Sequence, residues 1–305
     1  GEYVDGEYNW INGDKYIGGW KNDLRHGKGK NIWANGDSFE GLYEADEYVD
    51  GEFNWINGDK HIGGWKNRYM HGKGKIIYEN GDSFEGLFEV GEYVDGEYNW
   101  INGDKYIGSW KNGLLHGKGK YFYANKEVLE GYFQNGFAEG LGKLTYQDKN
   151  YIVVNFKKNL RNGFGKTYFS NGGRFEINYS NDNPYGMGKY FYADGDIFIG
   201  NYKEIGDGSK RNGEGNFYYR DGKQFIAEWK NGEIWQRTVL FSEAGEILDD
   251  SWNQLKHKEY VEKLNKNSVN SQFEEIELRT TELSRTSITM KTKRKPKAKR
   301  AKITK

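Results

Sequence analysis

The stretch from Tyr16 to Lys30 reads YIGGWKNDLRHGKGK, and it combines the residue types from which phosphate-binding loops are built. Glycine backbone and a nearby lysine can cradle a phosphate, and a histidine can act as a general acid or base. A nucleotide-binding P-loop, however, needs four residues between its first glycine and the Gly-Lys pair, and Ser or Thr after that pair. Neither this stretch nor its copies have that spacing, so we expect no nucleotide site of this kind.

The histidines of this motif recur at a fixed distance, as His26, His71 and His116. An interval of 45 residues would hold about four strands, which places successive histidines roughly 19 Å apart across a sheet. The ligands of one zinc ion lie about 2 Å from it, so these histidines cannot share a metal. Asp and Glu also recur in every repeat, which is not typical of a single catalytic dyad. The sequence therefore predicts no enzyme, no metal and no cofactor.

The chain consists largely of internal repeats. The segment GEYVDGEYNWINGDKYIGGWKN at Gly1 returns at Gly91 with one substitution, and a close copy starts at Asp46. Each repeat of 45 residues divides into similar halves of 22 and 23 residues. A half begins with an anchor of three alternate residues, which in its regular form is aromatic, glycine and aromatic. The ten anchors start at Tyr16, Phe39, His61, Phe84, Tyr106, Leu129, Ile152, Phe175, Phe198 and Phe225.

The anchor predicts a β-strand, because alternate residues share one face of a strand whereas helical faces recur every three or four residues. A second run follows each anchor after a polar turn and also alternates between polar and apolar residues. Two strands per half predict an all-β fold, an elongated single-layer antiparallel meander of about twenty strands, on the order of 95 Å long and about 20 Å wide. Asn35-Gly36 and Asn80-Gly81 predict type I′ turns between strands.

The composition agrees with a thin β-structure. Glycine supplies 43 of 305 residues, aromatic residues 17% and proline only two, which suits strands and tight turns. A mean hydropathy of −0.98 argues against a thick core, so we expect aromatic rings packed along one face to stabilise the ribbon. The absence of cysteine excludes disulfides and agrees with a reducing, intracellular compartment. Because the chain starts at Gly1 within a repeat, we expect it to be a piece of a longer protein.

The pattern resembles the MORN repeat (membrane occupation and recognition nexus), whose signature reads Y-x-G-x-W-x-x-G-x-x-H-G-x-G. The segment from Tyr106 to Gly119 matches this signature at every position, through Tyr106, Gly108, Trp110, Gly113, His116, Gly117 and Gly119. The resemblance extends from residue 1 to about residue 235 and comprises about ten repeats. Val154 and Ile177 occupy positions where the signature has the anchor glycine, and Asn162 and Tyr185 occupy positions where it has the histidine. These departures change single positions of the repeat and leave the predicted fold unchanged.

The segments after the repeats change character. We expect a β-ribbon over 1–235, a terminal strand and turn over 236–248, a short helical cap or docking segment over 249–284, and a disordered basic tail over 285–305. Behind an N-cap at Asp250 or Ser251, apolar residues recur at helical spacing as Trp252, Leu255, Val261 and Leu264. A second short helix would use Phe273, Ile276, Leu278 and Leu283. A helix folded over the last strand would shield the open sheet edge; dimerisation or docking is the alternative.

The charge is distributed unevenly although its sum is zero. Residues 291–305 contain nine Lys or Arg and no acid, which leaves 36 basic against 45 acidic residues in the rest. Such a tail can contact anionic lipid, a nuclear importer or a microtubule, with nucleic acid the least expected partner. Its contact residues would be Lys293, Arg294, Lys295, Lys297, Lys299 and Arg300. A second candidate is a lysine stripe on the polar face of the repeats, formed by Lys120, Lys143, Lys166 and Lys189. A solvated face is favoured over a lipid site there, since the repeats are acidic overall.

Three functions are compared. The resemblance implies first a non-enzymatic scaffold that binds axonemal or cytoskeletal proteins, as in the radial spoke heads of cilia, and the residues of its binding face would be Trp20, Trp33, Trp65, Tyr78, Trp110 and Tyr123. The second is a peripheral membrane module on anionic phospholipid, as in junctophilin-like tethers. The third is the regulatory arm of a phosphatidylinositol phosphate kinase or SET-class methyltransferase, whose catalytic domain would lie outside this chain. We adopt the scaffold, located in the cytoplasm, the cytoskeleton or a cilium, and leave a homodimer open.

Overall fold

A computed structural model describes residues 3–205 and 208–267 of the chain, and most of these residues lie in β-strands. The contacts divide the chain into two compact units, the first ending at Phe137 and the second beginning at Ala138. The basic tail, its six predicted contact residues and the predicted second helix lie outside the described residues. Within the described part, no helix is both long and apolar enough to cross a bilayer.

The first unit contains twelve strands. Their bounds are β1 (Tyr3–Asn9), β2 (Lys15–Lys21), β3 (Leu24–Ile32), β4 (Ser38–Glu44), β5 (Glu47–Asn54), β6 (Lys60–Lys66), β7 (Tyr69–Ile77), β8 (Ser83–Glu89), β9 (Glu92–Asn99), β10 (Lys105–Lys111), β11 (Leu114–Phe122) and β12 (Val128–Gln134). Each strand pairs antiparallel with the next one along the chain. The first unit is therefore a meander, as the period-two pattern predicts.

The second unit continues with the same kind of strand. Its strands are β13 (Phe137–Thr145), β14 (Tyr151–Lys157), β15 (Leu160–Tyr168), β16 (Arg174–Ser180), β17 (Asn183–Phe191), β18 (Ile197–Ile205), β19 (Gly208–Tyr218), β20 (Gln224–Lys230), β21 (Glu233–Phe241) and β22 (Ile247–Asp249). These strands also pair antiparallel in chain order. The helix α1 (Gln254–Asn267) follows them. The prediction of an antiparallel meander with a short carboxyl-terminal helix is confirmed.

The hairpin turns correct one prediction. Asn35 does not have a positive φ, and only Gly36 (φ 93°) is left-handed in the turn closed by the Gly36 N–H and the Trp33 carbonyl, so this turn is not type I′. A type I turn followed by a left-handed glycine fits this geometry. Type I′ geometry, with two successive positive φ values, lies at the other end of the strands, for example at Asn22 (φ 51°) and Asp23 (φ 61°).

One face of the first unit carries a row of glycines covered by aromatic rings. On this face, called the inner face, the anchor glycines pair with one another from Gly6 through Gly18 and Gly29 to Gly131, so a continuous row of glycines crosses all twelve strands. Rings two residues before the anchor glycine lie over this row. A Cβ atom at Gly29 would lie 2.2 Å from the Tyr16 hydroxyl oxygen. The glycines therefore make room for the aromatic core, which buries Tyr16, Phe39, Phe84 and Tyr106.

The opposite face, called the outer face, carries charged and aliphatic side chains. Ion pairs join neighbouring strands there, such as Lys30–Glu40 at 2.9 Å and Lys75–Glu85 at 3.1 Å. In the second unit the inner face changes, because Val154 and Ile177 replace the anchor glycine and are themselves buried. At these two positions an aliphatic side chain is added to the buried face, while rings such as Phe198 still lie over the glycines that remain.

The helix α1 lies against the inner face near the last strands, and Gln254 Oε1 at its start accepts the Ile234 N–H of β21 at 3.2 Å. The His257 ring contacts Phe217 (centroids 4.9 Å) and Phe225 (5.1 Å), and its Nδ1 lies 2.7 Å from the Tyr219 hydroxyl. The predicted N-cap at Asp250 or Ser251 is wrong, because Asn253 Oδ1 accepts the Lys256 N–H at 3.1 Å. The cap lies later because Ser251 donates its N–H and its hydroxyl to Asp249.

We expect Trp252→Ala to loosen α1 from the sheet. Trp252 is buried against Phe225 (centroids 6.5 Å) and Tyr260 (5.7 Å), and removal of a buried tryptophan side chain costs about 3 kcal/mol or more. Hydrogen exchange of the α1 amides should accelerate while the strands of the first unit stay protected. Leu255→Ala is the matched control, because Leu255 is 65% exposed. Equal exchange in both variants would contradict this role of Trp252.

Candidate protein-binding face

The inner face of the first unit carries two sets of aromatic residues. Anchor tryptophans stand edge-on to the anchor ring four residues before them on the same strand, as Trp110 does to Tyr106 (centroids 5.3 Å, 89°). A second set begins each turn at one end of the strands and is called the turn-aromatic row. It consists of Trp10, Trp33, Trp55, Tyr78, Trp100 and Tyr123. All six members are half-buried, so each ring packs on the sheet and keeps part of its surface exposed.

The residues predicted for partner binding divide between these sets. Trp65 and Trp110 are buried, and they pack against rings of the core such as Phe53 (5.6 Å from Trp65) and Tyr98 (5.5 Å from Trp110). Trp20 is half-buried beside Tyr16. The remaining three, Trp33, Tyr78 and Tyr123, belong to the turn-aromatic row. The six residues thus lie on one face, but they differ in exposure to solvent: two are buried and four are half-buried.

Three members of the row, Trp10, Trp55 and Trp100, are not among the residues that the sequence predicts for partner binding. Trp10 contacts Tyr8 (4.8 Å), Trp55 contacts Phe53 (4.7 Å), and Trp100 contacts Tyr98 (4.7 Å). The signal was present in the sequence, since each is the fourth residue after a strand glycine, as Trp33 and Tyr78 are. These additions raise the number of rings in the row from three to six.

Carboxylates line the turns beside this row. Asp82 Oδ1 accepts the N–H of Ile101 at 2.8 Å, and Asp82 Oδ2 accepts the hydroxyl of Tyr98 at 3.2 Å. Asp14, Asp37, Asp59 and Asp104 accept backbone N–H groups of the following turn in the same way. Each turn is therefore fixed to the next one. The row consequently combines aromatic rings with negative charge on a backbone held by hydrogen bonds.

Burial controls the ionisation of the tyrosines and the histidine of this face. Burial raises the pKa of Tyr78 to about 12, and the pKa of Tyr98 is raised by burial and by the Asp82 carboxylate. These phenols are therefore neutral at neutral pH. Burial lowers the pKa of His61 to about 4, so its ring is neutral as well. Such a face offers apolar contact, ring faces and hydrogen bonds, which suits binding rather than proton transfer.

The predicted lysine stripe is interrupted. Lys120 forms an ion pair with Glu130 (3.2 Å), and Lys166 forms one with Glu176 (3.4 Å). Lys143 lies over the ring of Tyr151 (4.4 Å), and Lys189 lies over Phe191 (4.8 Å). In addition, Val153 and Glu176 stand between the lysines of the second unit on the same cross-strand line. Its lysines are therefore engaged within the sheet, and the stripe stays a prediction.

The repeated histidines lie apart on β3, β7 and β11. Among residues 3–205 and 208–267, no group of three or more His, Cys, Asp or Glu is placed to hold a metal ion. The carbonyl oxygen of His116 accepts the Tyr106 hydroxyl at 3.3 Å, which is a backbone role. The His-Gly-Lys-Gly motif of each copy is therefore part of a β-strand and forms no active site among the described residues.

Comparison with known proteins identifies the repeat. The family model described as MORN repeat matches residues 16–38, 61–83, 106–128, 130–151, 155–174, 178–197 and 208–224. The chain therefore carries seven MORN repeats, and the MORN repeat is a non-catalytic repeat domain. No curated protein matches the sequence.

Solved structures with weak similarity include centriole proteins. The SAS-4 (dCPAP) TCP domain of Drosophila melanogaster, in complex with a proline-rich motif of Ana2, shows 17% identity and a TM-score of 0.35 over 58% of this chain and 88% of that one. The TCP10 domain of Danio rerio CPAP shows 14% identity and a TM-score of 0.25 over 81% and 99% of the respective chains. At such scores the similarity says nothing about function.

Proposed function

We propose that the chain is a non-enzymatic scaffold that binds a protein partner on the inner face of its first unit. The observation that carries this proposal is the turn-aromatic row, in which six half-buried rings stand side by side next to fixed carboxylates. Half-buried tryptophan and tyrosine are the residues most often responsible for affinity at protein interfaces. The partner segment should therefore supply aliphatic side chains for the rings and Lys or Arg for the carboxylates.

The setting we propose is a ciliary or cytoskeletal assembly, and it rests on the resemblance to MORN scaffolds. We also propose that the number of repeats is about ten. Residues 39–60 and 84–105 separate the first three matched segments, and each contains the anchor strand and second strand of a repeat, β4 with β5 and β8 with β9. Each of these hairpins continues the glycine row. The paired lysines of the predicted stripe give no support to a membrane function.

The test is affinity purification from the native cell with the whole chain. We expect wild-type protein to recover axonemal or cytoskeletal proteins, and Trp33→Ser/Trp55→Ser to lose them, because loss of two interface tryptophans lowers affinity by a factor of about 100 or more. Trp235→Ser is the matched control, since Trp235 is a 57% exposed tryptophan outside the row. Recovery of the same proteins by the double variant would overturn the proposal, as would recovery of none by the wild type.

Flotation with anionic vesicles tests the membrane alternative separately. The vesicles should contain phosphatidylserine, and the salt concentration should be moderate because electrostatic binding weakens with ionic strength. We expect no flotation of the described repeats through Lys120 or Lys166, which are ion-paired. Flotation that is lost on Lys120→Glu/Lys166→Glu would favour the membrane function instead.

A further inference from the structure

The excess charges of the chain lie in two separate parts of its sequence. Residues 1–137, which end with the first unit, contain 15 basic and 23 acidic residues, whereas residues 138–290 are nearly balanced, with 21 basic and 22 acidic. Residues 291–305 contain nine basic residues and no acid. The first unit therefore holds almost all of the excess negative charge, and residues 291–305 hold a positive charge of similar size.

Part of this negative charge lies on the inner face, within the turn-aromatic row. In every hairpin of the row an acidic residue follows the aromatic residue by four positions, and its carbonyl oxygen accepts the aromatic residue's N–H. The six pairs are Trp10–Asp14, Trp33–Asp37, Trp55–Asp59, Tyr78–Asp82, Trp100–Asp104 and Tyr123–Glu127. Each acidic residue comes two positions before a buried anchor residue, so both side chains lie on the same face. Rings and carboxylates therefore alternate along one end of the inner face.

Three of these carboxylates are held by neutral groups. Asp14 accepts the Ala34 N–H at 2.9 Å and the Asn12 amide at 3.0 Å. Asp37 and Asp82 accept a backbone N–H and an asparagine amide in the same way. Within residues 3–205 and 208–267, none of the three forms an ion pair. Their negative charges can therefore attract basic side chains from outside the described residues.

The lysines that directly follow three of the row's acidic residues do not balance this charge. They alternate with buried anchor residues, so they lie on the outer face. Each is paired there with a glutamate, in the pairs Lys15–Glu7 (2.7 Å), Lys60–Glu52 (2.8 Å) and Lys105–Glu97 (3.4 Å). Arg25 does contact rings of the inner face, but it is bound to Asp46 at 2.9 Å, in the turn at the opposite end of the strands.

The spacing of the row matches the spacing of basic residues in residues 291–305. Successive hairpins of the row lie two strands apart, which is about 9.6 Å. Basic residues recur at every third position as Lys291, Arg294, Lys297 and Arg300. Three residues of an extended chain span about 9 to 10 Å. Four successive basic side chains can therefore meet the four hairpins whose acidic residues run from Asp37 to Asp104.

The second unit shows a cation against the same kind of surface. The Arg211 guanidinium lies over the rings of Phe198 (4.3 Å) and Trp229 (4.7 Å), and it donates to the Tyr192 hydroxyl. Tyr192 begins its turn as the members of the row do, because its N–H binds the Asp196 carbonyl. Arginine and lysine are attracted to the faces of tryptophan and tyrosine rings. The inner face of this fold is thus suited to basic side chains.

The acidic residues select the first unit over the second. After Tyr146, Phe169 and Tyr219, the positions equivalent to Asp14 hold Asn150, Gly173 and Lys223. An unbroken series of acidic residues beside rings is therefore a property of the first unit, which is where we place the binding of residues 291–305.

We propose that residues 291–305 of this chain bind the turn-aromatic row of the first unit in an extended conformation, with their basic side chains over the rings and beside the carboxylates. Opposite charge and equal spacing on the two surfaces support this contact. Bound in this way, the segment competes with the protein partner for the row. That competition rests on the function proposed above, whereas binding of the segment to the row does not.

Fluorescence anisotropy of a labelled peptide with the sequence of residues 291–305 tests the contact. The peptide is titrated at low salt, because screening weakens such binding, with a chain that ends at Met290 and keeps every described residue. We expect saturable binding, and we expect Asp37→Asn/Asp82→Asn to weaken it about fivefold or more. Asparagine should preserve the turns, because Asn150 Oδ1 accepts the Ser170 N–H at 2.7 Å in an equivalent turn. Circular dichroism checks the fold of each variant.

Asp5→Asn/Asp50→Asn is the matched control, since it removes the same charge from exposed residues of the outer face and should leave the affinity unchanged. The whole chain should bind the peptide more weakly than the chain that ends at Met290, because its own segment occupies the row. Absence of peptide binding, equal weakening by both double variants, or equal affinity of the two chains would each overturn the proposal. The partner is absent from these measurements, so they can fail while the proposed scaffold function stands.

Discussion

Gly86→Ala should lower the free energy of unfolding of the first unit by about 3 kcal/mol, the cost of forcing an added methyl group into a packed site. Its Cβ would lie 2.2 Å from the Asp95 carbonyl oxygen, 2.6 Å from Gly96 Cα and 2.8 Å from the Phe84 ring. Two of these neighbours are backbone atoms of β9, which cannot turn aside as a side chain can. The β8–β9 pairing must therefore open or Phe84 must leave the core. Urea denaturation followed by circular dichroism measures the loss.

Gly72→Ala is the control for this prediction. Gly72 has a positive φ of 73°, but nothing lies within 4 Å of a Cβ added there. The substitution should therefore cost only the left-handed backbone strain of alanine, about 1 kcal/mol. If Gly86→Ala were no more destabilising than Gly72→Ala, the glycine row would not be a packing requirement.

The glycine row was largely predictable from the sequence, whereas the contacts between turns were not. Alternation with period two fixes which residues share a face, and equal repeat lengths bring glycine next to glycine. Arg25, by contrast, binds Asp46 through its Nε at 2.9 Å; Arg25 lies in β3, and Asp46, 21 positions later, lies in the turn between β4 and β5. Nothing in the local pattern around either residue indicates that pair. The same holds for Asp82 and Ile101.

Acidification should destabilise the wild-type chain through His61, and His61→Tyr should abolish that part of the loss. The His61 ring is fully buried, edge-on to Trp65 (centroids 5.0 Å) and Phe88 (5.1 Å). Burial lowers its pKa from 6.5 to about 4, so below pH 6.5 the unfolded chain binds a proton that the folded chain does not. The free energy of unfolding should therefore fall between pH 6.5 and about 4, by roughly 3 kcal/mol.

Another repeat of the chain shows that a tyrosine fits at the position equivalent to His61. Tyr16 occupies the equivalent place, edge-on to Trp20 (5.0 Å) and Tyr43 (5.2 Å), and its hydroxyl donates to the Gly19 carbonyl at 3.0 Å. Tyrosine at position 61 should fit the same way and donate to Gly64. His257 also has a lowered pKa and remains in both chains, so the quantity to compare is the difference between variant and wild type. A difference that does not grow between pH 6.5 and 4 would contradict the burial of a neutral His61.

The candidate site was only partly predictable. The aromatic positions follow from the repeat, but the sequence does not reveal that Trp65 and Trp110 are buried while Trp33 and Tyr78 are only half-buried. That difference arises from ring-to-ring packing across several strands, which depends on three-dimensional distances rather than on spacing. The helix α1 shows that the apolar pattern alone does not predict burial. The pattern predicts that Leu255 is buried, but Leu255 is exposed and His257 is buried instead.

The most direct test of the proposed scaffold function is to locate, by photo-crosslinking, the site at which the chain contacts its partner. A photo-crosslinking phenylalanine analogue placed at Trp55 should form a covalent adduct with a cytoskeletal or axonemal protein in the native cell lysate, because Trp55 lies within the turn-aromatic row. The same analogue at Trp235, which is exposed outside the row, should form none. Adducts at position 235 together with none at position 55 would contradict partner binding by the inner face of the first unit.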